Sequence, residues 1–455
     1  MDLIPDLPNH IALECLIRVT YDQFSRVASV CSEWMKEIKL PEFRRLRKTS
    51  CRSQKIIVMS QARVDPNRKK AGVIKRFANP IYRVTLLELD TGHWSELPPL
   101  PGFSNGLPMF CQLAAVGLNI VVMGGLDPVT WEVSNSVFVF NFVSGKWHRG
   151  PDMPGVRRSF YGCASDHDRM VYVAGGHDED KNALRSAIAY DVEKDEWIQL
   201  PDMARQRDEC KGIFHDGKFH VIGGYRTEMQ GRFEKSAEVF DVAKSLWGDV
   251  QKDFLEALTC PRTCTVGSDK DFYMSHKGDV VALKHDKWQV VAKIPTEVCK
   301  VAYMTTWQGK LLVIGCASYS EPHTAYVLDL KSYKWTKMES QEKFSGHVQS
   351  VAYNDPPDLS EDEKIRIAKA MQTKMETHRF GSLVTEQKLQ EYVKRARASE
   401  KNTTPSRLGE VTAIDALEGL RKRKRKVATV VASSRMGNAK APRALPPSRK
   451  DFGTS

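Results

Sequence analysis

Long apolar runs are absent from this sequence of 455 residues. No stretch approaches the roughly 18 to 20 consecutive apolar residues that cross a bilayer, so we expect no membrane-spanning helix and no membrane partner. The N-terminal segment MDLIPDLPNH carries acids and prolines where a secretory signal has basic and then apolar residues. The sequence therefore predicts neither a membrane protein nor a secreted one.

Motifs for metal ligation and catalysis are also absent. The 10 cysteines are scattered from Cys15 to Cys316, and the close pair Cys260 and Cys264 has no second pair to complete a four-ligand zinc site. The sequence contains no phosphate-binding P-loop, no H-E-x-x-H and no G-x-S-x-G. The run His-Asp-Glu-Asp at 177–180 fits an acidic loop better than a cation site. We therefore predict a non-catalytic protein without metal or cofactor, whose cysteines are reduced.

Positive charge is concentrated toward the C-terminal end. The net charge is +12, and residues 357–455 contain 22 Lys and Arg against 12 Asp and Glu, whereas residues 1–356 contain 46 against 44. The nearly neutral body does not predict a nucleic-acid-binding fold, and any nucleic-acid contact is expected only from the basic tail.

A repeat of about 50 residues runs through the body of the chain. Three units share an apolar strand that ends in a glycine doublet, at 124–125, 175–176 and 223–224, followed by a loop and an alternating strand. Each unit ends near a tryptophan, and this spacing extends to Trp94, Trp147, Trp197, Trp247, Trp288 and Trp335. We therefore count six units.

This pattern resembles the kelch repeat, in which each unit is a four-stranded blade of a β-propeller. The resemblance implies an all-β propeller of six blades over residues 47–355, with the glycines and tryptophans packed between blades. The first unit is one strand short, and the apolar segment at 347–354 has no partner of its own. We predict that residues 348–353 pair beside residues 56–59 and close the ring, which removes exposed strand edges.

Residues 1–46 have helical periodicity and predict a small all-α module. They resemble the F-box in spacing and residue type. The matching positions are Leu7, Pro8, Ile11, Leu16, Val30, Cys31 and Trp34. The resemblance implies that these residues bind the Skp-type adaptor of an SCF ubiquitin ligase and, through it, cullin. A helical cap on the propeller is the alternative.

Together the two modules resemble plant F-box/kelch-repeat proteins, in particular the KISS ME DEADLY group, over about residues 1–354. Segments such as IPDLPNHIALECLIR, GLDPVTWEVSNSVFVF and MPGVRRSFYGCASD carry this resemblance. It implies a substrate adaptor for ubiquitination and proteasomal degradation, in which other subunits catalyse ubiquitin transfer. The implied targets are phenylalanine ammonia-lyase of phenylpropanoid metabolism and type-B response regulators of cytokinin signalling. The residues alone leave open a ligase-independent kelch scaffold that tethers a nuclear partner.

Candidate contacts for a protein substrate lie between the repeats. Arginines follow the blade tryptophans at equivalent positions, which places them on one face of the ring. They are Arg157, Arg158, Arg205, Arg207 and Arg262. Their guanidinium groups either bind acidic or polar groups of the substrate or pack within the blades. Trp131 falls outside the tryptophan register, so it is either a surface contact of the hot-spot type or lies under the rim.

Residues 356–455 form a basic tail. A capping box from Ser360 to Glu363 predicts a helix near 361–376, a second helix is predicted near 382–398, and the remainder is expected to be disordered. A nuclear localisation signal, a nucleic-acid arm or a solvated charge run fits the six consecutive basic residues Arg421, Lys422, Arg423, Lys424, Arg425 and Lys426. We expect the protein in the cytoplasm and the nucleus.

Overall fold

The computed structural model describes residues 3–4, 7–64, 80–103, 106–318 and 321–354. These residues fall into two units, one ending at Cys15 and the other beginning at Leu16. The predicted tail helices near 361–376 and 382–398 lie outside the described residues. Within the described ranges, no helix has the length and apolar character needed to cross a membrane.

Helix α1 (Asn9–Leu16) begins in the first unit. The carbonyl oxygen of Pro8 accepts the N–H of Ile11 (2.9 Å), and the Asn9 side chain accepts the N–H of Leu3 (2.8 Å). A proline suits a helix start because it has no N–H of its own to satisfy. The helix therefore begins where Pro8 predicts it.

Three further helices open the second unit after a 3-10 turn at Tyr21–Gln23. They are α2 (Phe24–Ala28), α3 (Ser32–Lys39) and α4 (Pro41–Thr49). The helical segment thus continues past residue 46, where the sequence predicts its end. In the core of these helices, the guanidinium of Arg47 lies 4.9 Å from the ring centroid of Phe24 and donates to the Ile17 carbonyl (2.9 Å). Burial lowers the pKa of Arg47, and these contacts offset part of the cost of burying its charge.

The rest of the second unit is built from short antiparallel strands. In chain order they are β1 (Ile56–Ala62), β2 (Tyr82–Glu88), β3 (Trp94–Glu96), β4 (Gln112–Val116), β5 (Asn119–Met123), β6 (Val137–Asn141), β7 (Lys146–Gly150), β8 (Gly162–Ser165), β9 (Met170–Ala174), β10 (Ala187–Asp191), β11 (Glu196–Leu200), β12 (Lys211–His215), β13 (Lys218–Ile222), β14 (Ala237–Asp241), β15 (Leu246–Trp247), β16 (Thr265–Val266), β17 (Phe272–His276), β18 (Asp279–Lys284), β19 (Lys287–Lys293), β20 (Lys300–Trp307), β21 (Lys310–Cys316), β22 (Thr324–Asp329), β23 (Trp335–Met338) and β24 (Val348–Asn354). Inner strands such as β1 and β10 are buried along their whole length because both faces pack against neighbouring sheets, whereas outer strands such as β7 are mostly exposed.

These strands form six four-stranded sheets within the described residues. Blades 2 to 6 each take four consecutive strands, from β4 to β23, and blade 1 has the order β24-β1-β2-β3. The first strands of adjacent blades contact one another around a central axis. The predicted six-bladed all-β propeller is confirmed.

Blade 1 combines the two ends of the propeller segment. Strand β24 pairs antiparallel with β1, with Tyr353 opposite Ile57 and Val351 opposite Met59. The buried side-chain amide of Gln61 donates to the Phe344 carbonyl (2.6 Å), which fixes the chain just before β24. The pairing predicted for residues 348–353 is therefore present, and it leaves the first blade with its full four strands.

Tryptophans link each blade to the one before it. The indole N–H of Trp147 donates to the Pro98 carbonyl (2.8 Å), and Trp197 donates in the same way to Pro151 (3.0 Å). Trp247, Trp288 and Trp335 repeat this link with the carbonyls of Pro201, Phe254 and Lys293. In blade 1, Trp94 stacks instead on Phe344 with ring centroids 5.3 Å apart. The repeat of tryptophans in the sequence is thus a repeat of inter-blade contacts.

The antiparallel order gives the propeller two different ends. Turns between first and second strands, and between third and fourth strands, lie at one end, which we call the turn face. Loops between second and third strands, and connections from one blade to the next, lie at the other end, which we call the loop face. The helices of the second unit pack on the turn face, where Tyr21 contacts Phe142 (ring centroids 5.3 Å apart) and Arg44 pairs with Asp168 (3.0 Å). The loop face is therefore at the opposite end from helices α2 to α4.

Candidate functional site

Three of the predicted adaptor-binding residues lie in the first unit. Pro8 is exposed to solvent, and Leu7 and Ile11 are partly exposed. A backbone hydrogen bond from the Leu7 N–H to the Ile4 carbonyl (3.2 Å) holds the chain as it enters α1. Apolar groups that remain accessible at a helix start can contact a partner protein.

The other predicted adaptor-binding residues lie in the second unit, and two of them are buried. Leu16 has no exposed surface and Trp34 is 3% exposed, so both stabilise the helices instead of offering a contact surface. This corrects their predicted role. Val30 and Cys31 are half-buried immediately before α3.

Two exposed apolar side chains, Met35 on α3 and Leu40 between α3 and α4, were missed by sequence reasoning. Met35 and Leu40 are exposed, whereas Trp34 and Ile38 of α3 are buried. The signal was available, because Trp34 and Ile38 are four residues apart and define the inner face of α3. Met35 and Leu40 fall outside that face and are accessible to a partner.

The structure removes Arg158 from the predicted substrate-binding residues. Its guanidinium is buried and donates to the carbonyl oxygens of Gly175 (3.3 Å) and Ser186 (3.1 Å) and to the Ser186 hydroxyl (2.9 Å). Burial lowers the pKa of Arg158. The residue thus joins the glycine doublet of blade 3 to the start of β10, and this packing role replaces the predicted binding role.

Arg207 repeats this arrangement in blade 4 and is also removed from the predicted binding residues. Its side chain is 1% exposed and pairs with the fully buried Glu238 (Nε to Oε1, 3.0 Å). It also donates to the carbonyls of Gly223 (2.7 Å) and Ser236 (2.9 Å). A buried charge pair of this kind needs hydrogen bonds to its remaining donors, and Arg207 has them.

The three remaining arginines differ in their availability. Arg205 is half-buried and pairs with Glu234 (2.7 Å). Burial alone would raise the pKa of Glu234, but hydrogen bonds from Arg205 and Ser236, with attraction to Arg205 and Arg226, together hold it below its ordinary value. Arg157 is exposed and lies 3.7 Å from Glu179. Arg262 is exposed and forms no ion pair with any described residue. Arg157 and Arg262 are therefore the accessible arginines of the predicted set.

Trp131 is a surface residue, which resolves the alternative left by the sequence. It is 55% exposed in the loop between β5 and β6, and Val129 beside it is also exposed. The Asp127 side chain accepts the backbone N–H of Val129 (2.8 Å), and the Asp127 carbonyl accepts the N–H of Trp131 (2.9 Å). This bonded turn presents an aromatic side chain on the loop face at little cost in loop ordering.

A buried Ser-His-Asp series links blade 3 to the connection that enters blade 4. The Ser159 hydroxyl lies 2.9 Å from Nε2 of His177, whose Nδ1 lies 2.9 Å from Asp208. Lys181 also contacts Nε2 (3.0 Å). The order of groups is that of a nucleophilic triad, but Ser159 is 2% exposed and its backbone pairs with that of His177. In this structure a substrate carbonyl has no access to the Ser159 hydroxyl, so the series acts as a cross-link.

No described group of His, Cys, Asp and Glu residues is arranged to hold a metal ion. The run at 177–180 divides between the core and the surface, because His177 is buried in the series above while Glu179 and Asp180 are exposed. The interpretation as an acidic loop therefore applies to its last residues only.

We predict that Arg207→Ala lowers the free energy of unfolding by about 3–5 kcal/mol, because it leaves the Glu238 carboxylate buried and unpaired. Arg157→Ala is the matched control, since it removes an exposed arginine and should cost less than about 1 kcal/mol. Urea unfolding of the two variants, followed by tryptophan fluorescence, measures the difference. Similar small losses in both variants would contradict the structural role of Arg207.

The Kelch motif family matches residues 110–154 and 157–204, which are blades 2 and 3 with their connections. The chain is 52% identical over 356 residues to F-box/kelch-repeat protein At1g15670 of Arabidopsis thaliana, covering 78% of this chain and 99% of that protein. It is 51% identical to F-box/kelch-repeat protein At1g80440 of the same plant, with the same coverage. F-box/kelch-repeat protein SKIP20 is 33% identical, over 61% of this chain and 73% of its own length. With a helical segment at its start and a kelch propeller behind it, the chain belongs to the family of F-box/kelch-repeat proteins.

Proposed function

We propose that this protein is the substrate-recognition adaptor of an SCF-type ubiquitin ligase and has no catalytic role of its own. Its F-box segment binds a Skp-type adaptor and, through it, cullin, while the loop face of the propeller binds the protein to be modified. The observation that carries the proposal is the separation of the two surfaces, with helices α2 to α4 on the turn face and Trp131 on the loop face.

The physical role of such a protein is to raise an effective concentration. A target held on the loop face stays close to the ubiquitin carrier that the cullin holds, so transfer no longer depends on random encounter. Adaptor contacts in this proposal come from Leu7, Pro8 and Ile11 in the first unit, and from Met35 and Leu40 in the second. These side chains are exposed or partly exposed, as a protein contact requires.

We further propose phenylalanine ammonia-lyase and type-B response regulators as targets, on the resemblance to the KISS ME DEADLY group. The support from this chain is general: a loop face with an exposed tryptophan and accessible arginines suits recognition of a folded protein surface. These proteins therefore serve as the purified test targets below.

We also propose that the protein divides between cytoplasm and nucleus. The support is the basic run at 421–426, which lies outside the described residues. A short cluster of Lys and Arg is typical of a nuclear localisation signal. The same run is the proposed site of any nucleic-acid contact, because residues 1–356 are close to neutral.

The adaptor contact is tested by pull-down of Skp-type adaptor and cullin with the full chain and with Leu7→Ala combined with Pro8→Ala. We expect the wild type to retain both proteins and the double variant to lose most of the adaptor, because two accessible side chains at the start of α1 are truncated. Trp131→Ala is the control and should retain the adaptor fully. Failure of the folded wild type to bind the adaptor would favour a ligase-independent scaffold.

The target contact is tested with Trp131→Ala and purified phenylalanine ammonia-lyase or type-B response regulator. We expect target affinity to fall by about tenfold or more, since an exposed tryptophan on a bonded turn has the character of a hot spot. Leu246→Ala removes another exposed apolar side chain, on the outer strand β15, and should change affinity less than about twofold. Equal effects of both variants would contradict the role of the loop face.

The proposed localisation is tested by microscopy of fluorescent fusions in plant cells. Replacing all six residues at 421–426 by glutamine should shift the protein toward the cytoplasm, because importin recognition depends on the positive charges. Replacing the separate basic residues Lys394, Arg395 and Arg397 by glutamine is the charge control. An unchanged nuclear fraction in the first variant would refute the signal.

A further inference from the structure

The loop-face end of the central channel carries two cations without acidic partners. Lys211 is the first residue of β12, the axial strand of blade 4, and its ammonium lies 5.3 Å from the ring centroid of Tyr303 on the axial strand of blade 6. Arg262 lies on the turn Pro261–Thr263, which packs against β20. Among the described residues, neither cation forms an ion pair.

Two histidines lie at the same end of the channel. His323 precedes β22, His347 precedes β24, and their ring centroids are 4.7 Å apart. His323 is 5% exposed, and its Nδ1 accepts the N–H of Val348 (3.2 Å), so the proton of the neutral ring is on Nε2. His347 is exposed, and its Nδ1 lies 3.1 Å from the Tyr82 hydroxyl. When that hydroxyl donates, Nε2 of His347 also carries the proton.

Packing of the axial strands brings Arg262 and His347 to the same part of the channel end. Arg262 precedes β16 and His347 precedes β24, and both of these strands contact β20. Burial, repulsion by His347 and repulsion by Arg262 lower the pKa of His323 to about 4. Burial also lowers the pKa of Lys211, with Arg262 adding to the effect. At neutral pH the His323 ring is therefore an uncharged N–H donor. The channel end thus presents donors and positive charge together.

Two carboxylates lie close in sequence to these residues, Glu209 two positions before Lys211 and Glu321 two positions before His323, and neither forms an ion pair with Lys211 or Arg262. Glu209, in the connection before β12, accepts a hydrogen bond from the Tyr225 hydroxyl (3.1 Å) and pairs with neither cation. The segments outside the described residues are basic in sequence: residues 65–79 contain five Lys and Arg against one Asp, and residues 357–455 contain 22 against 12. The neutralising group is therefore expected from another molecule.

We propose that this channel end, formed by Lys211, Arg262, His323 and His347, binds a carboxylate of the protein target. Arg262 and Lys211 supply the charge, and the imidazole N–H groups supply directed hydrogen bonds, as anion sites in proteins require. The carboxylate comes from an acidic side chain or from the C-terminus of the target. This inference rests on the proposed function, because it names the chemistry that the loop face recognises.

The site is tested with three fluorescein-labelled peptides and fluorescence anisotropy on the full chain. The first contains six glutamates and an amidated C-terminus, the second replaces the glutamates by glutamines and has a free C-terminus, and the third has glutamines and an amidated C-terminus. We expect binding of the first or the second, which identifies the source of the carboxylate, and none of the third. Binding of the third peptide alone, or no binding of any of the three peptides, overturns the proposal.

Variants separate this site from the general positive charge of the chain. Arg262→Ala and Lys211→Met should each weaken the bound peptide by about tenfold or more, because each removes a charged hydrogen-bond donor. Arg185→Ala removes a different exposed arginine from the loop face, one that pairs with Asp202, and should change affinity less than about twofold. Equal losses in all three variants would indicate diffuse attraction, most simply to the basic tail, and would overturn the proposal.

A second measurement reports on the site directly. The NMR signal of the His347 ring, assigned with His347→Gln, should shift on addition of the bound peptide in the wild type and stay fixed in Arg262→Ala. Adaptor pull-down and thermal unfolding are measured on the same variants and should be unchanged. Intact adaptor binding without peptide binding refutes the carboxylate site alone, whereas loss of adaptor binding by the wild type refutes the proposed function itself.

Discussion

The closing pair of strands, β24 on β1, is the interaction on which the rest of the structure depends. A propeller blade packs only against its two neighbours, so an unclosed ring leaves two blades with an uncovered face and strands with unpaired edges. Here the closure joins segments almost 300 positions apart, with Val351 opposite Met59. The buried amide of Gln61 fixes the approach of the returning chain. The central channel and the loop face have defined shapes because this pairing completes the circle.

Around that ring, hydrogen bonds fix how each blade is positioned against its neighbour, which apolar packing alone would not determine. The indole N–H of each blade tryptophan from Trp147 onward donates to a carbonyl of the preceding blade or the connection after it. Arg158 and Arg207 perform a second repeated task, because each donates to a glycine-doublet carbonyl and to a serine near the third strand. Buried groups of this kind are costly when unpaired, which penalises a blade that slips from its register.

The sequence predicts the blades well because their spacing and tryptophans express inter-blade geometry directly. It fails at Arg158 and Arg207, because an arginine after a turn has the same spacing whether it points to solvent or into the blade. The sequence does contain one indication that Arg207 is buried. Glu238 occupies the position that Ile188 and Phe138 occupy in other units, and a carboxylate at such a core position requires a buried cation. The channel-end cluster was not foreseeable, because His347 precedes β24, and β24 contacts the axial strand of blade 6 only when the ring closes.

The docking of helices α2 to α4 on the turn face fixes their distance from the loop face. Tyr21 packs on Phe142 and Arg44 pairs with Asp168, so the helices follow the propeller as one body and do not swing on a linker. The height of the propeller then sets a fixed distance between whatever binds the helices and whatever binds the loop face. In a ligase of the proposed kind, this distance would select which lysine of the target is modified. Lysines that the bound geometry brings to the ubiquitin carrier can react, whereas chemically identical lysines elsewhere on the target cannot.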